Sequence, residues 1–232
     1  MAAETVLAQT VLAQTVLAET DWATIASFAT ALGTLVLAFA TFAAIRSSNR
    51  SARIAERSFE VNLRPVLVTS RLEDPVQKIR WVDDHWAQLA GSQASVELVD
   101  GNIYLAISLR NVGPGLAVTI GWAALVGYRP SADYPHAEAE NFRTQTRDLY
   151  IAPGDIGFWQ AAIRESGDPD YPGLRTCIED TEPFTIELLY GDHEGGQRTI
   201  TRFGIIPRIV GEETKWFPAV AKHWNLDRPD PR

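Results

Sequence analysis

Residues 22–45 read WATIASFATALGTLVLAFATFAAI, with no charged residue and no proline. As a helix rising about 1.5 Å per residue, this stretch is roughly 36 Å long, against a bilayer hydrocarbon core of about 30 Å. It is long enough to cross with modest tilt, although its many Ala and Thr residues make it only moderately hydrophobic. Core helices of soluble proteins rarely run so far without a charge. A cleaved signal peptide opens with a basic segment and has a shorter apolar core. Here the 21 residues upstream hold no Lys or Arg and carry Glu4, Glu19 and Asp21. A transmembrane helix is therefore expected over 22–45.

Its flanks set a direction. Arg46, Arg50, Arg53 and Arg57 follow the span closely, and Arg64 comes next. Positive charge beside a span stays in the cytoplasm. The expected topology is a cell inner (cytoplasmic) membrane protein, single-pass, N-terminus outside and C-terminal domain cytoplasmic. The same arginines suit the anionic headgroups of the inner leaflet, each contributing about 1 kcal/mol. Within the span, Ala29 and Gly33 are a small-xxx-small pair, and Ala40 and Ala44 continue near that face. Such a face lets two helices approach closely, so it is a candidate packing face for a homodimer.

Residues 1–21 form an extracytoplasmic tail that repeats TVLAQ, TVLAQ, TVLAE over 5–19. Five residues advance a helix by about 500°, so equivalent positions drift by about 140° per repeat and form no single face. No role is assigned to the repeat. Residues 46–64 form a juxtamembrane helix, since nothing breaks it before the Arg64–Pro65 step, where the residue preceding proline leaves helical geometry.

From Pro65 the pattern changes to strands and turns. PVLVTSRL (65–72) reads as a strand. ASVELVDGNIYLAISLRN (94–111) reads as two strands joined at Asp100–Gly101, a strong hairpin signal. Asn111, Gly113 and Gly115 make a turn before the strand LAVTIGWAALVGY (116–128). Pro153 and Gly154 turn between strands in DLYIAPGDIGFWQAAI (148–163). FTIELLY (184–190) and QRTITRFGII (197–206) pair across GDHEGG. Residues 130–147 and 166–183 read as long loops, and 211–232 as a C-terminal tail ending in the disordered DRPDPR. The expected fold class is mainly β with a long N-terminal helix: one transmembrane helix followed by an immunoglobulin-like β-sandwich over 65–210.

The order LRNVGPGLA (109–117), LYIAPGD (149–155) and LLYGDHEGGQRTI (188–200) resembles the N-x-G, L-x-P-G and Y-x-D-x-x-G pattern of immunoglobulin-like bacterial domains. The whole layout is similar to uncharacterised bacterial single-span membrane proteins in which an Arg-rich helix and an Arg-Pro step lead into a small immunoglobulin-like β-sandwich domain. The likeness covers roughly residues 22–206. Its motifs are turn signatures, so it implies a fold and no activity.

The residues bearing chemistry form no recognisable constellation. The chain has 29 acidic and 21 basic side chains; five of each precede Pro65, leaving 24 against 16 beyond it. An acidic domain is a poor match for nucleic acid. One cysteine, Cys177, excludes an intrachain disulfide. His85 and His193 each sit beside acids, in Asp83–Asp84–His85 and Asp192–His193–Glu194, and read as solvated turns unless their loops meet to supply the three or four ligands a metal needs. No Walker A, G-x-G-x-x-G or G-x-S-x-G motif occurs. Of the seven tryptophans, Trp22 marks the membrane boundary, Trp122 and Trp159 belong to the core, and Trp81, Trp86, Trp216 and Trp224 either pack on the sandwich or offer an aromatic surface to a partner.

These readings converge on a membrane-anchored protein presenting a cytoplasmic β-sandwich as a binding or scaffolding module for a protein partner. It is not expected to be an enzyme. Catalytic residues, metal ligands and cofactors are all expected to be none. Two alternatives stand beside this one: an enzyme with its site in loops 130–147 and 166–182, and an envelope sensor dimerising through its transmembrane helix.

Overall fold

The computed structural model describes residues 2–130 and 133–229, with side chains described at 22–56, 58, 63–130 and 133–229. The chain is mainly β with one long N-terminal helix, and it divides between Ser58 and Phe59 into two units. Helix α1 runs from Ala2 to Leu63. No proline interrupts it, and it stops two residues before Pro65, where the pre-proline restriction takes effect. The pentapeptide repeat lies within this helical backbone; its side chains lie outside those described.

Beyond α1 come β1 (Leu67–Thr69), β2 (Gln77–Arg80), β3 (Trp86–Leu89), β4 (Ala94–Val99), β5 (Asn102–Asn111), β6 (Ala117–Leu125), β7 (Arg143–Thr144), β8 (Tyr150–Ile151), β9 (Ile156–Ile163), α2 (Tyr171–Glu179), β10 (Phe184–Gly191), β11 (Thr199–Val210) and β12 (Glu213–Asn225). Among the described residues every pairing is antiparallel. One edge of β5 meets β9; the other meets β4 and then β1. A second group runs β12–β11–β10–β6, with β7 and β8 on the outer edge of β6. The groups join into one ten-stranded sheet through a single residue pair, Trp216 with Ala94.

Alternation places the core between the two groups. Ile103, Leu105, Ile107 and Leu109 of β5 point the same way, as do Phe184, Ile186, Leu188 and Tyr190 of β10, and all belong to one buried cluster. Trp122 of β6 and Trp159 of β9 meet edge to face there, with ring centroids 5.4 Å apart. The opposite face of β5 is covered as well. The β2–β3 hairpin lays Ile79, Trp81 and Leu89 on Tyr104 and Ala106. This is why NIYLAISLRN is apolar on both faces instead of alternating.

Three segments differ from the sequence expectation. Within the expected loop 166–182, Tyr171–Glu179 is helical, because Tyr171, Leu174 and Cys177 recur at three-residue spacing and bury one face. Pro172 falls in its first turn, where the missing N–H has no helical partner to lose. The polar stretch around Trp81 and Trp86 forms the β2–β3 hairpin. The expected tail at 211–232 supplies β12, paired with β11 along its whole length from Val210↔Glu213 to Thr199↔Asn225. Of the terminal DRPDPR, Asp227 is ion-paired with Arg198 at 2.7 Å, and residues 230–232 lie outside the described residues.

Candidate functional site

Among the described residues one helix is long and apolar enough to cross a membrane, Trp22–Glu56, and none of its apolar stretch is buried by protein. Trp22, Phe28, Leu37 and Phe39 are each about two-thirds exposed or more. The hydroxyls that dilute its hydropathy are spent internally. Ser27 donates to Ala23 O (2.9 Å), Thr30 to Ala26 O, Thr34 to Thr30 O and Thr41 to Leu37 O (each 2.8 Å). A satisfied hydroxyl costs far less in hydrocarbon than a free one. Arg46, Arg50 and Arg53 share one shallow recess with Phe42, Ile45 and Asn49, so the three cations lie along one face of α1. The side chain of Arg57 lies outside those described. At about 100° per residue, Ala29, Gly33, Ala40 and Ala44 fall within roughly 60° of one another. All four are exposed, and a Cβ on Gly33 would meet nothing within 4 Å.

In the domain, Asn111 is the joint. It is fully buried, and its side chain makes four hydrogen bonds. Nδ2 donates to Gly115 O (2.7 Å) and Ile151 O (3.0 Å); Oδ1 accepts from Gly113 N (3.0 Å) and Val66 N (3.2 Å). Its backbone binds the Pro153–Gly154 turn, through Gly154 N to Asn111 O (2.9 Å) and Asn111 N to Asp155 O (3.1 Å). The turn residues picked out in sequence as separate punctuation are thus tied together, and the Arg64–Pro65 step passes over them. A Cβ on Gly115 would fall 1.7 Å from Leu63 O, and one on Gly113 2.3 Å from Arg64 O. Glycine is required there for close backbone approach.

The acidic histidine segments do not form one site. His85 stacks on Tyr104 with centroids 4.1 Å apart and bonds Glu97 through Nε2 at 2.8 Å. Tyr104 donates to Asp83 Oδ2 (2.7 Å), which also accepts from Arg164 Nε (2.8 Å). The Arg164 guanidinium, then the Tyr104 hydroxyl, hold the Asp83 carboxyl well below the usual carboxylate range. Among the described residues His193 has Glu194 as its ion-pair neighbour, at 4.0 Å with both exposed, and Asp192 caps its own hairpin turn through Gly196 N (2.9 Å). Among the described residues, no group of three or more His, Cys, Asp or Glu is placed to hold a metal. Cys177 is buried in the core face of α2. Trp81, Trp216 and Trp224 are buried, and Trp86 is 57% exposed beneath Arg80.

The two long loops are both pinned. Arg202 and Glu187, neither exposed, pair at 2.6 Å. Arg202 also donates to the carbonyls of Tyr134 (3.1 Å) and Pro135 (2.7 Å), and Glu187 Oε2 accepts from Ala137 N (2.8 Å). Arg143 of the first loop reaches Asp168 and Asp170 of the second, each at 2.5 Å. Beside it lies a recess of about 280 Å³, lined by Trp81, Val82, Trp122 of β6, residues 143–147, and Gln160, Ala161, Ala162 and Arg164 in and after β9, with no acid or histidine among these described residues. Gln160, on that wall, carried no signal in the sequence, because a glutamine in a strand reads as ordinary surface.

Compared with known protein families, curated proteins and solved structures, the chain matches none.

Proposed function

We propose that this chain is a single-pass protein of the bacterial inner membrane, N-terminus outside, that presents an immunoglobulin-like β-sandwich in the cytoplasm as a binding or scaffolding module. The observation that carries the reading is α1 itself. An apolar stretch with its hydroxyls internally bonded and its surface uncovered by protein passes directly into an exposed arginine face. Water is a poor solvent for the first part, and an anionic leaflet is a good partner for the second.

The strand pairings support the sandwich. Taking β1, β5, β6, β9, β10 and β11 as strands A, B, C, E, F and G, the pairs are A–B, B–E, C–F and F–G. These pairings support an immunoglobulin-like reading; β4 on the β1 edge of β5 and β12 beyond G are additional, and strand D has no counterpart in the assignment. Binding, rather than catalysis, is the role proposed for the domain.

The test is to express the chain in bacterial cells. It should stay with membranes through an alkaline carbonate wash. The domain beyond Pro65 should resist protease added to spheroplasts and be digested once they are lysed. Release by carbonate would overturn the span; digestion from outside would overturn the orientation.

A further inference from the structure

We propose that the cleft between β4 and the free end of the β11–β12 hairpin takes an extended segment of a partner protein as an added strand, one that alternates basic and apolar residues. This names the partner class for the binding-module reading and rests on it.

The register shows where the edge is open. β4 and β12 pair at one point, Trp216 with Ala94. In a hairpin with a two-residue turn, the residues that close the turn exchange both backbone hydrogen bonds, and every second residue after them does the same. Counting from Val210↔Glu213, Glu213 and Lys215 bond to β11, while Thr214 and Trp216 turn away from it. Counting from Val99↔Asn102, Glu97 and Ser95 bond to β5, while Val96 and Ala94 turn away from it. The bond from Ser108 N to Gln93 O (3.1 Å) keeps the same parity. One step beyond Ala94↔Trp216, Val96 would therefore exchange bonds with Thr214. Among the described residues the ladder stops short of that step. The two strands instead form the walls of a cleft of about 440 Å³ that includes Val96 and Thr214. Val96 is half-buried and Thr214 exposed.

Charge explains the stop and selects the occupant. Continued by one more residue, the ladder would set Glu213 directly opposite Glu97, on one face, and like charges so placed destabilise a sheet. Both carboxylates are accessible, with the Glu97 side chain 35% exposed and that of Glu213 79%. Glu97 accepts from Ser95 Oγ at 2.6 Å and bonds His85 Nε2 at 2.8 Å. Lys215 lies 3.8 Å from Glu213 and is the one cation lining the cleft against these two acids. A strand laid along Val96 with Lys or Arg on the Glu97 face brings cations between the two carboxylates. Its alternate residues share the face of Val96, which packs against the core, and are therefore apolar.

The other edge of the same hairpin is closed to such pairing. β10 ends its pairing with β11 at Phe184↔Ile205. The next β11 position turned that way is Pro207, in register with Trp216, and it has no N–H to offer. Neither 94–97 nor 213–216 contains a proline.

The experiment uses the full chain in nonionic detergent and fluorescein-labelled six-residue peptides, followed by fluorescence anisotropy. One peptide alternates Lys and Val, a second alternates Glu and Val, and a third is the Lys–Val peptide N-methylated at each valine. The Lys–Val peptide should bind saturably with Kd below about 1 mM. The Glu–Val and N-methylated peptides should bind at least about tenfold more weakly. Val96→Pro removes the edge N–H without taking a bond from β5, and should abolish binding. Glu213→Gln, at an exposed side chain, should weaken the Lys–Val peptide about threefold to fivefold, the size of a cross-strand charge pair. E213Q and the N-methylated peptide keep the test valid if V96P does not fold. No saturable binding of the Lys–Val peptide up to about 1 mM, or equal affinity for its N-methylated form, overturns the proposal. So does a wild-type dimer that V96P makes monomeric, which would give the cleft to a second copy. Failure of the module reading looks different. A crosslinked pull-down from membranes that returns only the bait removes the module, whereas the same proteins recovered by wild type and V96P alike remove the cleft alone.

Discussion

The Tyr190 hydroxyl reaches the ring of His223 through one intermediate, Thr201 Oγ1, which lies 2.8 Å from the first and 2.7 Å from the second. Tyr190 also accepts from Leu67 N at 3.1 Å. With that bond made, a neutral imidazole lets the phenolic proton go to Thr201 and the Thr201 proton go to His223 Nδ1. The arrangement uses a neutral imidazole as its terminal acceptor. Burial, then the nearby Arg64 charge, pushes the His223 pKa down in agreement.

A pH dependence follows from that polarity. A histidine with a lowered folded pKa binds its proton more readily when unfolded. Stability is therefore full above the unfolded value of about 6.5 and declines as pH falls toward the lowered folded value. Replacing His223 by Asn should flatten the slope of urea midpoint against pH just below pH 6.5. An unchanged slope would assign the titration elsewhere.

Acid should act on a second set of groups. Asp83 is held low by Arg164, Asp74 by Arg110, Asp168 by Arg143 and Asp227 by Arg198. Each contributes stability that is present above the unfolded carboxylate pKa of about 3.9 and lost as pH falls through its lowered folded value. Midpoints measured from pH 5 to pH 2 should drop mainly below pH 4. Asp83→Asn should reduce that drop.

The buried pair of Arg202 and Glu187 makes a strong mutational prediction. Arg202→Met leaves a carboxylate without its cation at a fully buried site, and removing one partner of such a pair costs about 3–5 kcal/mol. The double variant R202M/E187L should be more stable than R202M alone, because it removes the orphaned charge. Denaturant unfolding of both variants checks the order.

Asn111→Ala should be among the most damaging substitutions in the domain. It strips partners from Val66 N, Gly113 N, Gly115 O and Ile151 O, and each group left buried and unmet costs about 1–3 kcal/mol. A loss above about 4 kcal/mol is expected in thermal or denaturant unfolding, the range reserved for broken buried networks.

Gly115→Ala should destabilise by a different route. The new methyl meets the backbone of Leu63, which has no flexible end to move aside. Protease should then cut more readily near Arg64, because the segment entering β1 is lifted from its seat. Gly127→Ala is the control, since it has open space around its Cβ but a positive φ, and it should cost less without exposing Arg64.

Much of this architecture was legible without coordinates. The uncharged run 22–45 marks the apolar helix, and Pro65 marks where it gives way to strands. The Asp100–Gly101 hairpin is readable because both residues take the positive φ its tight turn requires. Cover on the second face of a strand was not legible. β10 is buried along its whole length, with Trp216 and Trp224 of β12 against Phe184 and Leu189 and the Ala137 backbone bonded to Glu187. Nothing within FTIELLY announces that Glu187 will meet Arg202. The same limit hid α2, whose prolines resemble loop punctuation until a core exists to receive Tyr171, Leu174 and Cys177.

The sequence by itself determined the elements whose cause is local: a helix that water cannot solvate, its arginine flank, and turns demanded by Gly, Pro and Asn. Only the tertiary structure decided which turns share Asn111, which charges are buried together, and that Gln160 keeps an unmet acceptor beside a recess. Backbone preference and hydropathy act over a few residues and can be read along the chain. Hydrogen-bond satisfaction among buried groups depends also on partners as far as 40 or 123 residues away, and no local pattern encodes it.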